Sequence, residues 1–465
     1  MNKVISSDTI KYIKSWLELR YDNADIPGYS VAICHNGRVI FNEAFGFANL
    51  KSKQKLNSDN IFRVASMSKT FTATVIMQLV EEGKLRLDDK VSDYLDWLKG
   101  GKDKRLSQIT VRQVMSHGAG IIRDGLDSGF WNLDRPFPDR DEVKSTILES
   151  GLIIENNIRM KYSNWGYGLL GLLIEKVVGK PYNDVVTEKI IKPLELKNTF
   201  PEYSPDMKDK MAAGYTRREF GLPSMAVGEI YTNALSSATG FCSNAADLCR
   251  FFSAHLIGSG ELLNDESKKE MQKGEWSIMG DDSNSLYGLG MDIRYIRNKK
   301  IVGHGGSCTG HKATGTFDGE NKLAIVVLAN FFWAAPFNIA RGIYNAIDNL
   351  ESPKMDKEKY DKLSKFQGRF ANLWGPTDII FCGNKLIKVW PDCWNPFGGA
   401  CDLKYIDENT LQIDTNNSYG NIDEKMKFEF KDGKVQAIYR SGELIMPIDE
   451  WKKKRKSMSI VSLPR

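Results

Sequence analysis

Strand-like segments near residue 30 and near residue 325 enclose a long helical stretch, which confines the chain to folds that layer helices on a sheet. Gly28-Tyr29-Ser30-Val31-Ala32-Ile33-Cys34 and Arg38-Val39-Ile40-Phe41 flank His35-Asn36-Gly37. The Asn-Gly pair supplies the positive φ angles of a tight hairpin turn. From Ser66 the pattern becomes helical: Phe71, Val75, Ile76, Leu79 and Val80 recur at spacings of three and four until Gly83, a C-cap. Further helices are expected over Gly168–Gly179 and Ala245–His255. Strand character returns after His304, with Gly315-Thr316-Phe317, a turn at Asp318-Gly319, and the apolar run Leu323–Leu328. The reading is an α+β domain.

A chain of 465 residues exceeds what one hydrophobic core usually supports, so a second domain is expected. Residues 351–362 are charged and poor in apolar side chains, which marks a linker between a domain over 1–350 and one over 363–465. In the latter, short runs such as Asp378-Ile379-Ile380-Phe381, Lys385–Trp390 and Lys427-Phe428-Glu429-Phe430 alternate with turn signals. That pattern predicts a small all-β, barrel-like module.

Composition excludes several classes. Apolar residues at 42% and charged residues at 26% are ordinary for a globular protein. The net charge of +5 is mild, and the one dense basic run, Lys452–Lys456, reads as a solvated tail, so no nucleic-acid partner is expected. The seven cysteines include no Cys-x-x-Cys pair, which argues against a disulfide framework or zinc knuckle and for reduced thiols in a cytoplasm. Met1–Asp8 turns polar before a signal-peptide apolar stretch develops, and no run is long enough to span a bilayer. A cytoplasmic location without a membrane partner is the expectation.

Three stretches carry chemistry. Ser66-Met67-Ser68-Lys69 opens the buried helix, and a spacing of three puts the hydroxyl and the amine on one face, one turn apart. The helix N-terminus favours the negative charge of an attacking alkoxide, and burial would lower the lysine pKa enough for it to act as a base. Ser52-Lys53-Gln54-Lys55 has the same spacing but lies in a polar, turn-like stretch. Taken singly, Ser66 also fits a helix-capping serine. Tyr162-Ser163-Asn164 stands at the entrance of the second helix, offering a phenol that relays protons and an amide that orients Lys69 and binds substrate. Tyr21-Asp22-Asn23 and Tyr231-Thr232-Asn233 repeat that spacing, and any one of these tyrosines also fits core packing. Gly303-His304-Gly305-Gly306-Ser307 precedes a strand where small residues let substrate approach the backbone, and the Ser307 and Ser66 N–H groups would form an oxyanion hole. His117, in a Ser-His-Gly turn, reads as structural.

Phe62-Arg63-Val64-Ala65-Ser66-Met67-Ser68-Lys69, Tyr162-Ser163-Asn164 with its Gly-Leu-Leu-Gly helix, and His304-Gly305-Gly306 resemble the serine β-lactamase and penicillin-binding protein superfamily, in its class C β-lactamase and esterase branch. Val114–Ile121 and Ser237–Ser243 are similar too, so the resemblance spans about residues 10 to 348. It implies an antiparallel sheet built from both ends of the domain and flanked by helices, with the serine at the start of a central helix. The tail beyond about residue 360 looks like the lipocalin-like domain of some family peptidases.

The expectation is therefore hydrolysis of an amide or ester in a small molecule or short peptide. Ser66, Lys69 and Tyr162 are the catalytic set; Asn164, His304, Gly305, Gly306 and Ser307 serve substrate and oxyanion. No metal or organic cofactor is called for, and a homo-oligomer remains open. The β-lactam enzymes typically carry lysine where this chain has His304, which weakens carboxylate binding and makes a β-lactamase or D-Ala-D-Ala carboxypeptidase the second choice. A non-catalytic scaffold would need a broken motif, and none is broken. A Ser-His-Asp hydrolase would need a Gly-x-Ser-x-Gly elbow, which the chain lacks.

Overall fold

The computed structural model describes residues 5–278, 284–352, 355–414 and 422–458. Met1–Val4 at the N-terminus and Pro353 and Lys354 of the expected linker lie outside the described residues. The chain forms two compact units, one over Ile26–Ala340 and one in which the segment up to Asp25 joins the residues from Arg341 onward.

The first unit is built on a nine-stranded sheet among the described residues. Its N-terminal strands are β1 (Gly28–His35), β2 (Arg38–Asn49) and β3 (Gln54–Lys55); a separate short ladder pairs β4 (Phe62–Arg63) with β5 (Cys242–Ser243). The remaining strands are β6 (Trp276–Ser277), β7 (Leu286–Tyr287), β8 (Asp292–Ile296), β9 (Lys299–Cys308), β10 (His311–Asp318) and β11 (Leu323–Ala329). Their order is β3-β2-β1-β11-β10-β9-β8-β7-β6, antiparallel throughout, and β1 meets β11 with Val31 opposite Val327. The two ends of the unit are thus zipped together at the centre of the sheet. The Asn-Gly turn closes β1 to β2 with φ of 52° at Asn36 and 75° at Gly37. Every residue of β11 is buried, which explains why its sequence reads as an unbroken apolar run.

Helices Ser68–Glu81, Asn164–Val178 and Ala245–Ala254 contribute to one continuous core with the sheet. Phe71 is sandwiched between Phe251, at a centroid distance of 3.7 Å, and Phe241, at 4.2 Å, which fixes the Ser68–Glu81 helix in rotation.

In the second unit, strands β12 (Gly368–Asn372), β13 (Gly375–Cys382), β14 (Lys385–Val389), β15 (Cys401–Asp407), β16 (Thr410–Ile413), β17 (Lys425–Lys431), β18 (Lys434–Arg440) and β19 (Glu443–Pro447) form a closed antiparallel barrel. Closure comes from Phe370 opposite Pro447 and Ala371 opposite Met446. The interior is packed with Phe366, Ile379, Leu411, Met426, Phe428 and Ile438. Sequence reasoning missed the helix Ser7–Asp22 of this unit, whose Ile13, Trp16 and Leu17 are buried at helical spacing. Arg369 on β12 donates to the Ser15 carbonyl of that helix at 2.9 Å and pairs bidentately with Asp378 on β13. Among the described residues, no helix is long and apolar enough to cross a membrane.

Candidate active site

Residues 61–77 are buried with one exception, Ser66. The turn that presents it is anchored from both sides. β4 pairs with β5, Val64 N–H donates to Phe241 O at 3.0 Å, and the Ser68 hydroxyl donates to Ala65 O at 2.6 Å while accepting from Phe241 N–H at 3.1 Å. Ala65 is held at φ of 47°, a left-handed conformation that alanine adopts only under such constraint. The 3-10 turn Ala65–Met67 then runs straight into the Ser68–Glu81 helix.

Lys69 is fully buried. Its Nζ lies 2.7 Å from Asn164 Oδ1, 2.9 Å from Ala238 O and 3.1 Å from Ser66 Oγ. Burial drives its pKa well below the ordinary lysine value, opposed by the negative charge of Asp124. Asn164 begins its helix, which Ser163 caps by accepting from Gly166 N–H at 2.8 Å, and its Nδ2 donates to Asp124 Oδ1 at 2.6 Å. Arg123 Nε donates to the other oxygen, Asp124 Oδ2, at 2.9 Å.

Tyr162 lies with its ring 4.8 Å from Lys69 Nζ and its phenol near enough to the Ser66 hydroxyl to feel it electrostatically. Burial raises the phenol pKa, and the Ser66 contact only partly offsets this, so the group is a neutral phenol in the resting site. The Tyr162 ring packs against His117 with centroids 4.2 Å apart and planes tilted by 39°, and His117 Nδ1 accepts from Ser163 N–H at 3.1 Å. That imidazole is buried, with its pKa pushed well down by desolvation.

β9 forms the opposite wall. β8 pairs with it only as far as Asp292 opposite Gly303, so His304–Cys308 are laddered on the β10 side alone. Gly306 faces the Ser66 turn so closely that a Cβ there would stand 1.9 Å from Val64 O. His304 is buried; its Nδ1 donates to Gly305 O at 2.5 Å and its Nε2 lies 3.2 Å from the Tyr287 hydroxyl. Desolvation lowers its pKa, so the ring is uncharged near neutral pH.

Ser66, Tyr162, Asn164, His304, Gly305, Gly306 and Ser307 all line one cleft of about 1220 Å³, and Lys69 reaches it from beneath through Ser66. Trp131 lines it as well, while Phe130 is buried behind, against Trp165 and Phe137. The competing Ser52 and Lys55 are exposed, and Tyr231 is largely exposed. Tyr21 belongs to the other unit.

Sequence reasoning missed the charged residues of the cleft, among them Asp124, Asp292, Arg294 and Lys312. No local signal marks them. Asp124 is one of several acids in a loop, and it meets Asn164 because the Asn164 N–H donates to Arg123 O at 2.9 Å.

A family model described as Beta-lactamase matches residues 13–346. The chain is 30% identical over 380 residues to Protein flp of Staphylococcus aureus (strain MW2), covering 81% of this chain and 72% of that protein. Among solved structures, the octameric penicillin-binding protein homologue from Pyrococcus abyssi is similar with a TM-score of 0.66 and 22% identity, over 94% of this chain and 99% of that one. A D-stereospecific amidohydrolase from Streptomyces sp. is similar with a TM-score of 0.60 and 25% identity, over 72% of this chain and 97% of that one.

Proposed function

The chain belongs to the Beta-lactamase family, and from that premise we propose that it is a serine hydrolase that cleaves an amide or ester bond through an acyl-enzyme on Ser66. The observation that carries this reading is the set of contacts around Lys69 Nζ. Asn164 Oδ1 and Ala238 O are both acceptors, so they take two N–H bonds of the amine. The remaining valence faces Ser66 Oγ, and in the neutral amine, the form that burial favours, that valence is a lone pair.

In acylation Lys69 takes the Ser66 proton as Oγ bonds to the substrate carbonyl carbon. The oxyanion accepts from the Ser66 and Ser307 N–H groups. In a two-residue hairpin the flanking pair, here Cys308 and His311, is hydrogen-bonded, so ladder alternation turns the Ser307 N–H away from β10 and into the cleft. One such donor contributes about 3 kcal/mol to the transition state. The carbon–nitrogen or carbon–oxygen bond then breaks, Tyr162 delivers its proton to the leaving group, and Lys69 returns a proton to Tyr162. In the second half water attacks the ester, its proton passes through Tyr162 to Lys69, and Ser66 Oγ leaves protonated as the acid departs.

Amides of small or D-configured amino acids are the leading substrates, supported by the likeness to the D-stereospecific amidohydrolase, with esters next. A β-lactamase or carboxypeptidase activity ranks behind, because the neutral His304 attracts a substrate carboxylate weakly.

The test is to treat the protein with a fluorophosphonate and, separately, with a penicillin, map adducts by peptide mass with Ser66→Ala as control, and assay D- and L-amino-acid amides, nitrophenyl esters and a chromogenic cephalosporin. Phosphonylation at Ser66 with amide or ester turnover is expected. Turnover of none, with no adduct at Ser66, rejects the hydrolase in favour of a scaffold, and a long-lived penicilloyl adduct selects the penicillin-binding alternative.

A further inference from the structure

We propose that Asp124 is a positioning residue that locks the Asn164 amide in the one orientation that leaves Lys69 aimed at Ser66, an inference that rests on the serine-hydrolase reading above. An asparagine amide has an acceptor end and a donor end of nearly the same shape, so packing alone does not choose between them. A carboxylate chooses. Asp124 Oδ1 only accepts, and at 2.6 Å it requires Nδ2 on its side, which leaves Oδ1 facing Lys69 Nζ at 2.7 Å. With the amide reversed, Nδ2 would meet Lys69 donor to donor, or take up the lone pair of the neutral amine. The base would then point at Asn164 rather than at Ser66. Arg123, on the solvent side, donates to Oδ2 at 2.9 Å and favours this orientation of the Asp124 carboxylate.

The same carboxylate sets the charge balance at Lys69. The charged groups that face the amine are Asp124 and Arg123 from the loop and Asp292 from β8. His117 and His304, both held neutral by burial, and the phenols of Tyr162 and Tyr167 complete its surroundings. Asp124 and Asp292 favour the ammonium, whereas desolvation and Arg123 favour the amine. Removing the Asp124 charge therefore lowers the Lys69 pKa further and extends the neutral form to lower pH.

The experiment compares wild type with Asp124→Asn and Asp124→Ala, measuring the second-order rate of fluorophosphonate labelling at Ser66 from pH 5 to 10 and the melting temperature of each. Both variants are expected to label roughly tenfold to a hundredfold more slowly at the optimum, part of the 10²–10⁴ that a positioned base contributes. Their acid limb is expected to move to lower pH. Asp124→Asn keeps the volume, so its melting temperature separates misfolding from misorientation. If wild type labels at Ser66 and a folded Asp124→Asn labels at the same rate with the same pH dependence, Asp124 has no such role. A uniform loss in both folded variants without movement of the acid limb also overturns it. If wild type itself does not label, the hydrolase reading fails first.

Discussion

Gly306 on β9 passes so close to Val64 that a Cβ added to it would stand 1.9 Å from the Val64 carbonyl oxygen. This contact seats the β9 wall of the cleft against the turn that presents Ser66. Gly306→Ala is expected to push the two apart, costing about 1–3 kcal/mol of stability as an overpacked site does. If the Ser307 N–H serves the oxyanion, hydrolysis falls by about 10²–10³ as well. Thermal melting together with kcat/KM on the best substrate checks both. Unchanged turnover would remove β9 from the oxyanion hole.

Tyr162 offers a cleaner separation of fold from chemistry, because its ring packs on His117 at 4.2 Å while the residue lines the cleft beside Ser66. Tyr162→Phe keeps the ring packing and removes the proton carrier. The melting temperature is expected to hold, and turnover to fall by about 10²–10⁴. With an activated ester, whose leaving group needs no proton, the adduct on Ser66 should accumulate and be visible by intact mass.

Two buried histidines tie stability to pH. Burial lowers His255 and His311 to about 4, whereas in the unfolded chain each returns to about 6.5. Between those values the unfolded chain binds more protons than the folded one. Their contribution is complete above pH 6.5 and is lost as pH falls toward 4, at up to about 1.4 kcal/mol per pH unit for each. Imidazole NMR signals of both residues should stay at their neutral positions at pH 5.5 while the melting temperature of the Ile26–Ala340 unit drops between pH 7 and 5. Protonation of both by pH 6 would contradict this.

The barrel unit depends on a partly buried ion pair. Asp378 is almost inaccessible, and Arg369 grips it through Nε at 2.8 Å and Nη2 at 2.9 Å while donating to the Ser15 carbonyl of the N-terminal helix. Asp378→Ala leaves the half-buried guanidinium without its counter-ion and is expected to cost about 1–3 kcal/mol. Denaturant unfolding followed by tryptophan fluorescence would measure the loss. Replacing both residues with apolar ones should recover most of it.

Local pattern was enough for the elements that declare themselves by period and punctuation. The Asn36-Gly37 hairpin, the apolar run of β11 and the helix closed by Gly179 at φ of 76° were all legible, because turn chemistry and side-chain periodicity act over a few residues. The contrast between the apolar helix that follows Ser66 and the polar, exposed turn around Ser52 was legible for the same reason. The tertiary structure decided what depends on contacts between distant segments. The pairing of Val31 with Val327, the grouping of the Ser7–Asp22 helix with the barrel strands, and the meeting of Asp124 with Asn164 and of Asn164 with Lys69 join residues whose neighbours in the chain carry no trace of the partner. Which acid beside a cleft orients an amide is fixed by geometry at a few ångströms, and a linear pattern of residue types contains no such distance.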